Sequence, residues 1–157
     1  MLKYIILLFI IFQFNIIKPM NEGIIDKDNI ELSQFILREV NEKYTNSNAP
    51  NIIWELNLAL RNIDKEHWSI VLAICYIESR FYPCRISHTN DYGIMQVNKY
   101  WHSNKYDFNR MSDIQYGIES GYEIFLACLN RANNDKMKAL NLYNGSSSYS
   151  NLFLQLI

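Results

Sequence analysis

Glu78 closes the segment Ile70-Val71-Leu72-Ala73-Ile74-Cys75-Tyr76-Ile77, which is apolar on every side. A helix of that composition is a buried one. At helical spacing Val71, Ile74 and Cys75 share the face of Glu78. Desolvation penalises the charged form of a carboxyl group. The pKa of Glu78 should therefore rise into the range of a general acid working near neutral pH. Position alone admits a plainer reading as well, a helix-terminal glutamate that simply reaches solvent. Asp91, in the turn-rich stretch Ser87 to Asn98, is the other carboxylate of interest. Facing Glu78 across a cleft, it would set a second carboxylate opposite the first. Thr89-Asn90-Asp91 is also good sequence for an Asx-type turn, which needs no catalytic role.

Other reactive side chains point to no further chemistry. His67, His88 and His102 lack metal-ligand spacing, so neither a metal nor a cofactor is expected. Cys75, Cys84 and Cys128 are odd in number and form no CxxC. Cys75 reads as a small core residue. Cys84 and Cys128 are the better candidates for a disulfide in an exported chain.

The elements that must position Glu78 are helical. Apolar residues at helical spacing predict helices over Asn29–Tyr44, Ile52–Ile63, Lys65–Arg80 (with Asp64 as N-cap), Asp113–Arg131 and Asp135–Tyr143. Thr45 to Pro50 reads as a loop, and Asn144-Gly145 with three serines ends the fifth helix. No strands alternate with these helices. The expected fold class is mostly α, with at most a small β element near Asp91 to Val97. Asn21 to Pro50 is given only a packing role, and Asn151 to Ile157 could pack on the core or meet a partner.

The whole chain has 157 residues, 49% hydrophobic and 20% charged, with a formal charge of -1. That composition excludes a disordered chain, and the missing basic excess argues against a nucleic-acid partner. Met1-Leu2-Lys3 followed by the apolar run from Tyr4 to Ile17 reads as an export signal, or as an N-terminal membrane tether if uncleaved. The run is shorter than the roughly 20 residues a bilayer span prefers, and no small-x-small cleavage site follows it. Beyond residues 1–19, about 135 residues suit one compact domain.

Three short motifs give the buried carboxyl a context. Glu78-Ser79-Arg80-Phe81-Tyr82-Pro83 resembles the E-S-x-F-x-P signature of the lysozyme-like lytic transglycosylases. Gly93-Ile94-Met95-Gln96-Val97 resembles their G-L-M-Q-I segment, and Ala139 to Gly145 their A-x-x-x-Y-N-x-G segment, with Gly145 one place early. Ile118-Glu119-Ser120-Gly121 fits their N-I-x-x-G helix, except that Gly117 stands for the Asn. The motifs occur in the family's order over about Trp68 to Gly145. Asp91 to Asn98 with Trp101 is most similar to the small secretion- and pilus-associated members. The same Asp-Tyr-Gly-Ile-x-Gln segment also resembles the c-type lysozymes, where the matching Asp is the second catalytic carboxylate.

The resemblance implies a lysozyme-like domain, set over residues 51–157; residues 20–50, which match none of the motifs, are read from their periodicity as a helical extension. It implies a peptidoglycan substrate cut between N-acetylmuramic acid and N-acetylglucosamine, with Glu78 as acid and then base. Tyr143 would orient near Glu78, and Asn144 would shape the same wall. Met95 and Gln96 would line sugar subsites, and Ser79 would bond the glycan or cap the helix end. Implied partners are glycan strands and a secretion, pilus or flagellar assembly, in the periplasm or cell envelope.

Overall fold

A computed structural model describes residues 49–155; the expected export signal, the expected helix Asn29–Tyr44 and residues 156–157 lie outside them. The first helix, α1 (Ala49–Leu60), starts earlier than its apolar spacing suggests. Pro50 falls in its first turn, where a missing N–H removes no helical hydrogen bond. Ile52, Leu56, Ala59 and Leu60 form its buried stripe.

The expected cap at Asp64 does not form. Asp64 makes no side-chain cap bond, and a 3-10 turn, Lys65–His67, precedes α2 (Trp68–Ser79). The Asp64 carboxylate instead accepts from the Tyr122 hydroxyl at 3.2 Å, and that hydroxyl also lies 2.9 Å from Nδ1 of the buried His67. These bonds fasten the start of α2 to a later helix. Ile70 to Cys75 are all buried, as the apolar run requires.

The end of α2 sets the site. Arg80 and Phe81 both adopt left-handed backbone, at φ 55° and 60°. Their N–H groups return to the carbonyls of Tyr76 (2.9 Å) and Cys75 (3.3 Å), closing the helix. Left-handed backbone costs about 1–2 kcal/mol for a residue with a Cβ. Burial of the Phe81 ring, which is 1% exposed and lies 5.9 Å from the Tyr76 ring, offsets that cost. The chain thus reverses just after presenting Glu78.

A two-stranded antiparallel hairpin follows, β1 (Asp91–Tyr92) paired with β2 (Val97–Asn98) in the register Asp91 to Asn98 and Tyr92 to Val97. It is the small β element expected there. Gly93 opens its turn at φ 77°, and a Cβ at that position would sit 2.3 Å from the Met111 carbonyl oxygen, so only glycine fits.

A short α3 (Lys99–His102) leads to α4 (Ile114–Arg131), capped by the Asp113 carboxylate on the Tyr116 N–H. Ile114, Ile118, Phe125 and Leu129 mark its buried stripe. Next come α5 (Lys136–Asn144), capped by Asp135 and closed by left-handed Gly145, and α6 (Tyr149–Leu154). Tyr149 and Phe153 are buried, and α6 packs on α2 and α5. Of the described C-terminal segment Asn151 to Gln155, Phe153 packs on the core, while Leu152 and Leu154 are exposed. No helix among the described residues is long and apolar enough to cross a membrane.

Candidate active site

Three stretches distant in sequence meet at the end of α2: Glu78 itself, the hairpin, and the α5–α6 corner. The Asn144 side-chain amide donates to Oε1 of Glu78 at 3.1 Å. Tyr149, 3% exposed, brings its buried hydroxyl up to the same carboxyl. That hydroxyl makes no hydrogen bond of regular geometry, yet it acts on Glu78 strongly enough to favour the carboxylate.

Burial raises the pKa of Glu78 above the usual carboxylate value, and the charge of Asp91 pushes in the same direction. Tyr149, Asn144 and the Arg85 guanidinium pull the other way without cancelling the rise. Of the two sequence readings of Glu78, the half-buried, desolvated acid is the one the fold builds.

Asp91 has the opposite environment. Burial alone would raise its pKa, but hydrogen bonds outweigh that and hold it below the usual value. Ser87 Oγ donates to Oδ2 at 2.6 Å, Thr89 Oγ1 donates to the same oxygen, and Asn98 Nδ2 donates to Oδ1 at 2.6 Å. The turn lies earlier than the Asx-type turn expected at Thr89-Asn90-Asp91: the Asn90 N–H bonds the Ser87 carbonyl at 3.2 Å, and the Ser87 hydroxyl accepts from the Thr89 and Asp91 N–H groups. Turn and charged carboxylate are thus one device. A carboxyl biased toward its proton beside one biased against it is the electrostatic arrangement of an acid and a charge stabiliser.

Three of the expected site residues do other work. Ser79 is fully buried, and its hydroxyl donates to the carbonyls of Cys75 (2.9 Å) and Ile94 (2.7 Å). It ties the end of α2 to the hairpin turn and is out of reach of a glycan. Met95 is also 0% exposed and fills the space beside Gly121, where a Cβ would lie 2.6 Å from its Cβ and Sδ. Its side chain is core, not subsite wall. Gln96 spends both amide protons on the carbonyls of Arg85 (3.0 Å) and Gly93 (2.9 Å), bracing the loop that leads into the hairpin.

Tyr143 is close enough to Glu78 for that charge, after burial itself, to raise its own pKa, but its hydroxyl donates to the Met95 carbonyl at 2.8 Å. Asn144 alone among the expected neighbours bonds Glu78 directly. The expected disulfide is absent: all three cysteines are free, with Cys128 buried and Cys84 exposed.

Among the described residues no cluster of His, Cys, Asp or Glu could hold a metal ion. An open depression of about 590 Å³, lined by Asn90, Tyr92, Lys99, Tyr100 and Ser103, flanks the hairpin. Glu78 is not among its walls.

Residues 55–151 match the family model described as the Transglycosylase SLT domain. The chain belongs to that family. The matched span holds Glu78, Asp91, Asn144 and Tyr149. Comparisons with curated proteins and with solved structures return no match. The SLT domain assigns the chain to the lytic transglycosylases that act on peptidoglycan, and the mostly helical, lysozyme-like fold agrees with it.

Sequence reasoning missed four members of the site. Ser87, Thr89 and Asn98 hold Asp91, yet each is an ordinary turn or strand-end residue when read alone. Tyr149 follows a run of three serines, and only the docking of α6 carries it to Glu78.

Proposed function

We propose that this SLT domain cleaves the bond between N-acetylmuramic acid and N-acetylglucosamine and leaves a 1,6-anhydro muramoyl end. The observation that carries the reading is the raised pKa of Glu78 on a buried helix, with Asn144 set on one carboxyl oxygen. Protonated Glu78 gives its proton to the glycosidic oxygen as the bond from that oxygen to the muramoyl anomeric carbon breaks. The carboxylate left behind is held by Asn144, with the Tyr149 hydroxyl at hand. It takes the proton of the muramoyl 6-hydroxyl, whose oxygen attacks the anomeric carbon and closes the ring. Glu78 ends protonated, ready for the next cycle. The nucleophile belongs to the substrate, so a single carboxyl serves both steps. Ionised Asp91 would stabilise the developing positive charge at the anomeric carbon.

Asp91 favours a second reading, a retaining muramidase. Three donors keep it charged, and its charge reaches Glu78. In that reading Asp91 captures the sugar and water releases it. A catalytically silent glycan-binding module of an envelope assembly is the non-enzymatic alternative, but binding alone needs no buried acid. Mass spectrometry of fragments released from purified sacculi separates the three. Anhydro-muramoyl ends support the transglycosylase, reducing ends the muramidase, and no fragments the binder.

The apolar N-terminal run supports export, with action in the periplasm or cell envelope and a membrane tether if the leader is retained. The Asp91 to Trp101 motif supports service to a secretion or pilus assembly, and flagellar assembly makes the same demand for local wall opening.

A further inference from the structure

Tyr100 and Trp101 lie side by side on α3, and both stand in solvent, 79% and 72% exposed. A single exposed apolar side chain is ordinary, but two large rings together mark a contact surface. The pair is held in place. Its rings meet edge to face at 4.6 Å, and the Asn98 side-chain oxygen accepts from the Trp101 N–H at 3.3 Å. Tyr100 also walls the open depression of about 590 Å³, together with Asn90, Tyr92, Lys99 and Ser103. That volume is ordinary for a small-ligand site, roughly 300–1,000 Å³. The hairpin register sets its place relative to the carboxyl pair. Asp91 lies opposite Asn98 and Tyr92 opposite Val97, and successive strand residues project to opposite faces. Tyr92 therefore points away from Asp91, and neither Asp91 nor Glu78 lines the depression. It is a second concavity on the other side of the same hairpin.

Its walls offer two phenol rings, an amide, a serine hydroxyl and one ammonium, which lies 5.5 Å from the Tyr92 ring and 6.0 Å from the Phe108 ring. No carboxylate is among them. Flat rings with a rim of neutral hydrogen-bonding groups suit a pyranose, which has an apolar C–H face and a girdle of hydroxyls and acetamides. A strongly anionic ligand would meet only one cation. A purely apolar one would leave the amide and hydroxyls without partners. We propose that Tyr100, backed by Trp101, forms a second glycan-binding site, in which the depression behind the hairpin holds an amino-sugar segment of the polymer that the carboxyl pair cuts. The proposal rests on the peptidoglycan reading above and adds a point of attachment to it. Once one site holds a strand, binding at the other is intramolecular, so the enzyme is retained on its polymer without any change in the reaction.

The indole N–H resonances of the full-length Glu78→Gln chain test it without turnover. The probe is a soluble tetrasaccharide of alternating N-acetylglucosamine and N-acetylmuramic acid. The chain has three tryptophans, which supply their own controls. The Trp68 indole is tied to the Ile63 carbonyl at 3.0 Å, and Trp54, 53% exposed on α1, reports unspecific contact with any open indole. We expect saturable movement of the Trp101 signal alone. Tyr100→Ala should abolish that movement and weaken binding of the Glu78→Gln chain to purified sacculi about tenfold. In the active chain, Tyr100→Ala should raise the half-saturating amount of sacculi by a similar factor, with circular dichroism verifying the fold. A Trp101 signal that stays still would assign the rings to a protein partner and overturn the proposal. Equal movement of Trp54 and Trp101, or sacculus binding untouched by Tyr100→Ala, overturns it as well. So does a Tyr100→Ala chain with a lower plateau rate at an unchanged half-saturating amount, which would put the rings in the reaction cleft. A wild type that binds sacculi but releases no fragments would instead remove the catalytic reading, and the resonance and binding results would still judge the second site.

Discussion

The side-chain amide of Asn144, at the end of α5, donates to Oε1 of Glu78, at the end of α2, across 66 positions of chain. The bond favours the carboxylate, in opposition to the burial that favours the acid. Glu78 is thereby kept from becoming so weak an acid that it could not deliver its proton.

That balance sets the pH dependence. The first step needs protonated Glu78, so kcat/KM should fall as pH rises through the elevated pKa. Asn144→Ala removes a donor to the carboxylate and should move the descending limb to higher pH. Tyr149→Phe should move it the same way, since the Tyr149 hydroxyl also favours the charged form. Initial rates of fragment release across pH 5 to 9 would show the shift. A limb that stays in place in both variants would mean that neither group governs Glu78.

Glu78→Gln should abolish cleavage, because an amide can neither give nor take the proton, while its carbonyl still accepts from Asn144. It should also change stability in a pH-dependent way. The folded state binds the Glu78 proton more tightly than the unfolded chain does. The resulting stabilisation is complete below the usual carboxyl pKa of 4.5 and is lost as pH rises through the higher folded value. Glu78→Gln should therefore melt above wild type near pH 8 and level with it near pH 4. Asp91, with its lowered pKa, drives stability in the opposite direction with pH, but it is present in both proteins and cancels in the difference. Thermal melts of the two proteins at both pH values check this, and equal melting at pH 8 would contradict a desolvated Glu78.

The helices and the burial of Glu78 were legible because they depend on local pattern. The unbroken apolar run before Glu78 announces a buried helix, and burial alone raises a carboxyl pKa. What could not be read is which partner each residue finds. Ser79 carries no mark telling a glycan-binding hydroxyl from one turned back onto the Cys75 and Ile94 carbonyls. Asp64 has the right type and place for a cap, but the Tyr122 hydroxyl, 58 positions away, competes for its carboxylate. Tyr149 reaches Glu78 only because Phe153 and its neighbours dock α6, a tertiary fact with no local signature.

Met95 separates a motif's reputation from its physical role. It is fully buried against Gly121, so Met95→Ala should lower stability by about 2–5 kcal/mol, as large-to-small core changes do. Gly121→Ala forces a Cβ to within 2.6 Å of the Met95 side chain and should cost about 1–3 kcal/mol by overpacking. Urea denaturation measures both. A Met95→Ala protein of unchanged stability with a raised KM would restore the sugar-contact role.

Asp91→Asn distinguishes the two enzymatic readings, and the hydrogen-bond geometry makes it a clean test. Asn can keep its carbonyl oxygen toward the Asn98 amide and turn its NH2 toward Ser87 and Thr89. The Thr89 hydroxyl can rotate to accept. Ser87 Oγ already accepts from the Thr89 and Asp91 N–H groups and gives up its bond to that side chain, so most of the hairpin's bonds stay while the charge is removed. For a transglycosylase the substrate's own 6-hydroxyl is the nucleophile, and the lost charge should reduce the rate by less than about tenfold, roughly 1.4 kcal/mol of barrier. The products should still carry anhydro ends. Because Asp91 helps to raise the pKa of Glu78, the descending limb of the pH profile should also move to lower pH. A retaining hydrolase needs Asp91 to capture the sugar, and the same substitution should cost orders of magnitude. Product analysis on the folded variant, with circular dichroism to verify the fold, decides the matter. A folded but inactive Asp91→Asn protein, beside a wild type that yields only reducing ends, would assign the chain to the hydrolytic mechanism.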